Sequence, residues 1–204
     1  MHWAIAVLLL LTGCVGFHPL HPEWDTLRPA ESAVDTSGRS DSDRAIPEQW
    51  QVIGYSHQGR PLRIRRIGSG ARRVIWIGGI HGDEREGAIS TAELPLALSR
   101  VAGAADKVTL TILEDINPDG TALRQRGNAN GIDLNRNYPA SNLLPGRSFG
   151  KRPLDQPEAR ALHDLIRAER PHLVIVAHSW RNDHFINFDG PAVAHAELFS
   201  EHSG

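Results

Sequence analysis

The chain of 204 residues holds a single cysteine, Cys14, and only 2 lysines beside 20 arginines. One cysteine excludes any disulfide within the chain. Acidic and basic residues nearly cancel, to a formal net charge of -2. That balance excludes a generally basic nucleic-acid coat, which draws on clustered positive charge. With 40% hydrophobic residues, it also excludes a wholly disordered chain, which combines low hydrophobicity with high net charge. Long apolar runs are lacking too. The aliphatic run at residues 4–11 is far short of the roughly 20 residues that cross a bilayer as a helix. The scarcity of lysine fits anion recognition by paired arginine donors, but a compositional bias of the source genome is the simpler account. No internal repeat is visible.

The run at 4–11 has the length of the apolar region of a secretory signal. It ends in Leu11-Thr12-Gly13-Cys14, which resembles the bacterial lipobox, although the preceding residues carry His2 and no Lys or Arg. The resemblance implies a signal peptide over residues 1–14, lipidation at Cys14 and a lipoprotein held in the cell envelope by acyl chains. The periplasmic face and the outer membrane both fit. Residues 15–48 show no sustained apolar period and contain Pro19, Pro22, Pro29 and Pro47. Such a stretch cannot bury enough apolar surface to offset its ordering entropy, so it reads as a flexible linker. The globular domain is expected over 49–204, long enough for one core.

Within that domain, strand-like and helix-like patterns alternate. Residues 50–56 and 62–67 are short strand-like runs joined by a turn-rich connection, which predicts a hairpin. Residues 74–77 are a continuous apolar run that reads as a buried strand, and 108–113 and 173–177 read as further apolar strands. Residues 185–188 read as a further strand. Residues 84–98, 157–170 and 192–199 read as helices, with Pro95 expected to kink or stop the first. Pro157 and Glu158 suit the first turn of the second. The alternation predicts an α/β fold with a mixed, mainly parallel twisted sheet flanked by helices.

In such folds, ligand groups collect beyond the carboxyl ends of strands. Three strand ends here carry polar chemistry. Residues 74–77 lead into Gly78-Gly79-Ile80-His81-Gly82-Asp83-Glu84. Residues 108–113 lead into Glu114-Asp115-Ile116-Asn117-Pro118-Asp119-Gly120. Residues 173–177 lead into His178-Ser179-Trp180. His81 and Glu84 are ordinary zinc-ligand types, and at a strand-to-helix turn both can face one point. With 11 His and 11 Glu in the chain, chance alone gives about 0.6 such pairs, so the spacing is only a hypothesis. His178 is the natural third ligand. Two His and one Glu leave a coordination position open, as catalytic zinc requires, whereas closed structural sites usually include cysteines. Between these ends, residues 124–137 form a long irregular stretch dense in amides and guanidinium groups. Asn and Arg donors suit a ligand bearing a carboxylate, and an additional Arg could stabilise an oxyanion. An Asn/Gly-rich surface turn is the plain alternative.

The elements Gly79-Ile80-His81-Gly82-Asp83-Glu84, Asn117-Pro118-Asp119-Gly120, Asn128-Ala129-Asn130-Gly131-Ile132-Asp133-Leu134-Asn135-Arg136-Asn137 and Val176-Ala177-His178 occur in that order. In combination they resemble the zinc carboxypeptidase family, most closely its bacterial murein peptide amidase branch. Gln156-Pro157-Glu158 matches a helix start of that family. The resemblance implies a mixed, twisted sheet flanked by helices and one Zn2+ on His81, Glu84 and His178. It implies Asp133 as the carboxylate orienting His81. Asn135 and Arg136 would hold the substrate carboxylate, and Arg126 would polarise the scissile carbonyl. No role falls to Asp83 or Glu86. Family members also carry a catalytic glutamate on a late strand. Asp183, Asp189, Glu197 and Glu201 are the acids that follow His178, and none has a matching context. The chain is therefore expected to lack the last strands of the family fold.

The leading expectation is a zinc-dependent hydrolase cleaving a peptide or amide bond next to a free carboxylate. Its substrate would be a murein peptide in the cell envelope, acted on by a monomer. A non-catalytic zinc or peptide-binding remnant on a lipid tether is the first alternative. A zinc deacylase of N-acyl amino acids is the second.

Overall fold

The computed structural model describes residues 6–13, 50–140, 145–180 and 185–203. Cys14 and the expected linker at 15–48 lie outside the described residues. Seven strands form one mixed sheet: β1 (Ala6–Gly13), β2 (Gln51–Tyr55), β3 (Pro61–Ile67), β4 (Arg72–Ile77), β5 (Val108–Leu113), β6 (Leu173–Trp180) and β7 (Phe185–Asp189). Their order is β2-β3-β5-β4-β6-β1-β7. The four strands β5, β4, β6 and β1 run parallel, and antiparallel pairs close both sides.

Among the described residues, five α-helices accompany the sheet: α1 (Arg85–Ser99), α2 (Ala104–Lys107), α3 (Pro118–Leu123), α4 (Pro157–Glu169) and α5 (Val193–Ser203). No helix of the described residues is long and apolar enough to cross a membrane. Pro95 lies inside α1 and does not end it. It removes one backbone donor, but Leu94 and Leu98 on either side pack into the core beneath, and that burial carries the helix through.

Period-two alternation divides the core between the two sheet faces. Ile75 and Ile77 of β4, Leu113 of β5, and Val174 and Val176 of β6 face a layer containing Leu134 and, from α4, Leu162 and Leu165. Trp76, Leu110, Ile112, Leu173, Ile175 and Ala177 face the other way, toward Leu94 and Leu98 of α1 and Ala196 and Phe199 of α5. Residues 74–77 of β4 and 173–177 of β6 are apolar on both faces, which is why they read as unbroken apolar runs, whereas Thr109 and Thr111 interrupt the run in β5.

The eight residues of β1 pair parallel with β6, with Leu9 opposite Val176 and Leu11 opposite His178. They pair antiparallel with β7 on the other side. The segment with the pattern of a secretory signal is thus an interior strand in this structure.

The hairpin β2–β3 is fastened by two buried carboxylates from distant helices. Asp119 on α3 accepts hydrogen bonds from Ser56 Oγ, the Gln58 N–H and Arg60 Nη1 at 2.9, 2.9 and 2.5 Å. Glu158, in the first turn of α4, accepts from the His57 N–H at 2.9 Å and from Asn128 Nδ2 at 3.1 Å. Both carboxylates are fully buried.

Candidate metal centre

The loop after β4 and the end of β6 bring His81, Glu84 and His178 together. His178 continues the parity of Val174 and Val176, so the strand itself aims it at the face packed by Leu134. The loop that carries His81 lies directly on α3. A Cβ on Gly82 would stand 2.0 Å from the Gly120 carbonyl carbon, so only glycine permits that approach. Asn117 fixes the other side of this contact. Its Oδ1 caps α3 by accepting from the Gly120 N–H at 3.0 Å, and its Nδ2 donates to the Arg126 carbonyl at 3.2 Å. The motif Asn117-Pro118-Asp119-Gly120 is therefore scaffolding: a cap, a first-turn proline, a hairpin anchor and a close contact.

His81 Nδ1 lies 2.7 Å from Glu84 Oε1, and His178 Nδ1 lies 2.8 Å from Glu84 Oε2. The two Nδ1 atoms are 3.1 Å apart. Donor atoms around a tetrahedral zinc, with bonds of about 2.0–2.1 Å, stand about 3.3 Å from one another. The observed separations are shorter than that spacing by about 0.2–0.6 Å, so a small outward shift of the three side chains would admit the ion. His81 and His178 are nearly inaccessible, at 2% and 5% relative exposure. The other ring nitrogen of His81, Nε2, faces Asp133 Oδ1 at 3.1 Å. This leaves Nδ1 with its lone pair toward the centre. The donor set of two imidazoles and one carboxylate, with a carboxylate behind one imidazole, fits zinc.

The electrostatics point the same way. Burial works against the His81 imidazolium, yet Asp133 and Glu84 outweigh it and raise the pKa above the usual histidine value. Burial likewise pushes the Glu84 carboxyl up, but His178 and His81 hold it down, to about 2. The centre favours positive charge, which a divalent cation supplies.

Arg126 borders this centre. Its Nε donates to Asp133 Oδ2 at 3.1 Å and its Nη1 to Glu84 Oε1 at 3.3 Å, while the side chain remains 46% exposed. Asp133 also caps a 3-10 turn, Leu134–Arg136, accepting from the Asn135 N–H at 2.9 Å. The same carboxylate thus sets the orientation of His81 and starts the turn that carries Asn135 and Arg136. Arg136 is exposed, and its guanidinium donates to the Asn135 carbonyl at 3.1 Å.

Not every polar residue of the 124–137 stretch faces outward. Asn128 is fully buried. Its Oδ1 accepts from the N–H groups of Asn130 and Ile132, and its Nδ2 donates to Gln156 and Glu158. Asn137 is equally buried, and its Nδ2 donates to the Phe149 carbonyl and to Asp155 Oδ1. These amides shape the loop. A second group was missed by sequence reasoning: Ser179 donates its N–H to Glu84 Oε2 at 3.0 Å and its hydroxyl to Glu86. No motif marks either residue, so only their positions beside known ligand types could have suggested them.

A zinc carboxypeptidase family profile matches residues 44–192. The chain belongs to the zinc carboxypeptidase family. It is 31% identical over 151 residues to murein peptide amidase A of Escherichia coli K12, a match covering 66% of this chain and 60% of that protein. The crystal structure of the murein-tripeptide amidase from Escherichia coli O157 superimposes with a TM-score of 0.55 at 30% identity, covering 69% of this chain and 65% of that one. Carboxypeptidase A from Helicoverpa armigera, at 21% identity and a TM-score of 0.59, shares the fold over 65% of this chain and 41% of its own. The chain spans about three fifths of the length of the amidases it matches.

Proposed function

We propose that this family member is part of a zinc-dependent hydrolase that cleaves a peptide or amide bond next to a free carboxylate. Murein peptides are the favoured substrates. The observation that carries the reading is the convergence of His81 Nδ1, Glu84 and His178 Nδ1, with Asp133 behind His81 and Arg126 at the rim. Zinc bound there would act as a Lewis acid toward a carbonyl and would lower the pKa of water. His81 and His178 would hold the ion through Nδ1, and Glu84 through its carboxylate. Asp133 keeps the proton of His81 on Nε2. Arg126 is exposed enough to turn from Glu84 toward a substrate carbonyl, where its charge would offset a developing oxyanion. Asn135 and Arg136 would bind the substrate carboxylate, Arg136 in bidentate fashion. The likeness to murein peptide amidases and the lipobox-like start support an envelope setting, with an acyl anchor at Cys14.

A second reading rests on one observation. Among the described residues, Asp189 lies at the end of β7, and Glu197 and Glu201 lie exposed on α5. None of the three bonds to the centre, and Asp183 lies outside the described residues. A chain that binds zinc and a carboxylate-terminated peptide without turnover is consistent with this. Incubating the zinc-loaded chain with diaminopimelate-containing murein peptides, with simple C-terminal peptides and with acylated amino acids separates the readings. Release of the residue next to the free carboxylate supports the hydrolase. Saturable peptide binding with no product favours the binding module. Turnover of acylated amino acids alone would move the assignment to a deacylase.

A further inference from the structure

Glu84 is the only proposed ligand that touches both histidines. Its Oε1 faces His81 and its Oε2 faces His178. Rotation of that carboxylate would carry its oxygens away from the point between the two histidines where a metal would be held. Once the histidines turn their lone pairs to a metal, they no longer restrain it. Something outside the ligand set has to.

Arg126 reaches Oε1 at 3.3 Å from the exposed rim, and the group that restrains Oε2 is next to His178 in the chain. The Ser179 N–H donates to Glu84 Oε2 at 3.0 Å. Ser179 also donates its hydroxyl to Glu86 Oε2 in a short hydrogen bond. Glu86 stands in the first turn of α1, two residues beyond Glu84. The contact is possible because α1 begins almost against the sheet. Gly87 is buried, and a Cβ there would stand 2.8 Å from the Gly79 nitrogen and 3.3 Å from the Ala177 carbonyl oxygen. With no side chain at 87, the first turn comes close enough to β6 for Glu86 to reach Ser179.

We propose that Glu86 and Ser179 are positioning residues for the metal ligand Glu84. Glu86 holds the Ser179 hydroxyl, and the backbone amide of Ser179 holds Glu84 Oε2. The arrangement parallels the Asp133–His81 pair on the opposite side of the centre, so two of the three ligands are steadied from outside by a carboxylate. Asp133 acts directly on an imidazole, whereas Glu86 acts on a carboxylate, which like charge forbids it to touch. A hydroxyl and an amide from one residue make the connection. Glu86 also adds negative charge near a divalent ion, and the test must separate charge from position.

This inference rests on the metal reading above. It is tested on the full chain by competition for Zn2+ with a chromophoric chelator, for wild type, Ser179→Ala, Glu86→Ala, Glu86→Gln and the double variant Glu86→Ala/Ser179→Ala. Loss of the outer pair is expected to weaken zinc binding by about 10–100-fold in Ser179→Ala and in Glu86→Ala. The double variant is expected to lose no more than the worse single one, because both act through one path. Glu86→Gln keeps an acceptor for the hydroxyl without the charge, and is expected to stay within about threefold of wild type. The visible absorption of the Co2+-loaded chain should shift in Ser179→Ala and in Glu86→Ala but stay as in wild type in Glu86→Gln, while the melting temperature of the metal-free protein stays unchanged. Wild-type zinc affinity in Ser179→Ala would overturn the positioning role while leaving the metal reading intact. A wild-type chain that binds no zinc would overturn both.

Discussion

His81 Nε2 lies 3.1 Å from Asp133 Oδ1 while Nδ1 of the same ring lies 2.7 Å from Glu84 Oε1. One imidazole is thereby assigned two jobs by two carboxylates. Asp133 fixes the proton on the outer nitrogen, and the inner nitrogen is left as an electron-pair donor. Asp133→Asn removes the charge but keeps the shape. It is expected to weaken zinc binding about 10–100-fold, measured by chelator competition, with the far-ultraviolet circular dichroism unchanged.

Zinc should stabilise the folded chain, because His178 is distant in sequence from His81 and Glu84 and meets them only on folding. A free ion at 100 times its dissociation constant adds about 2.7 kcal/mol. The melting temperature should therefore rise on zinc addition in wild type and stay flat in His178→Ala. A rise of equal size in His178→Ala would remove that histidine from the ligand set.

Arg136 is exposed, and its hydrogen bond goes to the Asn135 carbonyl beside it. Arg136→Ala is expected to leave stability within about 0.5 kcal/mol. Affinity for a peptide with a free terminal carboxylate should fall by about 1.5–3 kcal/mol, the range for hydrogen bonds to charged groups. Calorimetry with the free acid and the C-terminal amide of one peptide distinguishes loss of carboxylate recognition from a general loss of binding.

Asp119 makes acid stability depend on the hairpin. Burial works to raise its carboxyl, but the Gln58 N–H, Arg60 and the Ser56 hydroxyl outweigh it and hold the pKa below the ordinary value. A depressed folded pKa means that the stabilisation is complete above the unfolded pKa of about 3.9 and is lost as pH falls through the folded value. Asp119→Ala leaves three donors without their acceptor and is expected to cost about 3 kcal/mol near neutral pH. Asp119→Asn should be less stable than wild type at pH 7, and the gap should narrow below about pH 4. A gap that stays constant in denaturant titrations between pH 7 and 3 would show that the charge of Asp119 contributes nothing.

Gly82→Ala tests the seating of the metal loop on α3. The added methyl meets the Gly120 backbone at 2.0 Å, and backbone cannot move aside as a flexible side chain can. Overpacking of this kind costs about 1–3 kcal/mol, and the displaced loop carries His81. Both stability and zinc affinity should fall, the latter measured in protein that is still folded.

Much of the centre was legible because its chemistry sits on regular elements. The apolar runs at β4, β5 and β6 gave the strands, and the polar residues after them fell where an open α/β sheet collects ligands. His81, Glu84, His178, Asp133 and Arg126 come together as their motifs implied. The helix α3 was not legible. It has six residues, contains Gly120, and begins at a proline, so no hydrophobic period can develop. Composition marks the 124–137 amides as donors but does not show which way Asn128 and Asn137 turn. Their inward hydrogen bonds depend on Gln156, Glu158 and Asp155, all of them remote in sequence. Ser179 and Glu86 escaped for the same reason, being neighbours only after α1 has docked on β6.

The strand β1 ties the fate of the amino terminus to the integrity of the sheet. The same eight residues pair with β6 along one edge and with β7 along the other. A peptidase that removed them would divide the sheet into a five-stranded body, β2-β3-β5-β4-β6, and a β7 held to it only through the packing of Ile186 and α5 on that body. The strand bearing His178 would then become an edge, with its peptide groups open to pairing with any extended segment. Removal of these residues would therefore also rebuild the architecture next to the metal centre, and chains with and without them would be different molecules at that edge.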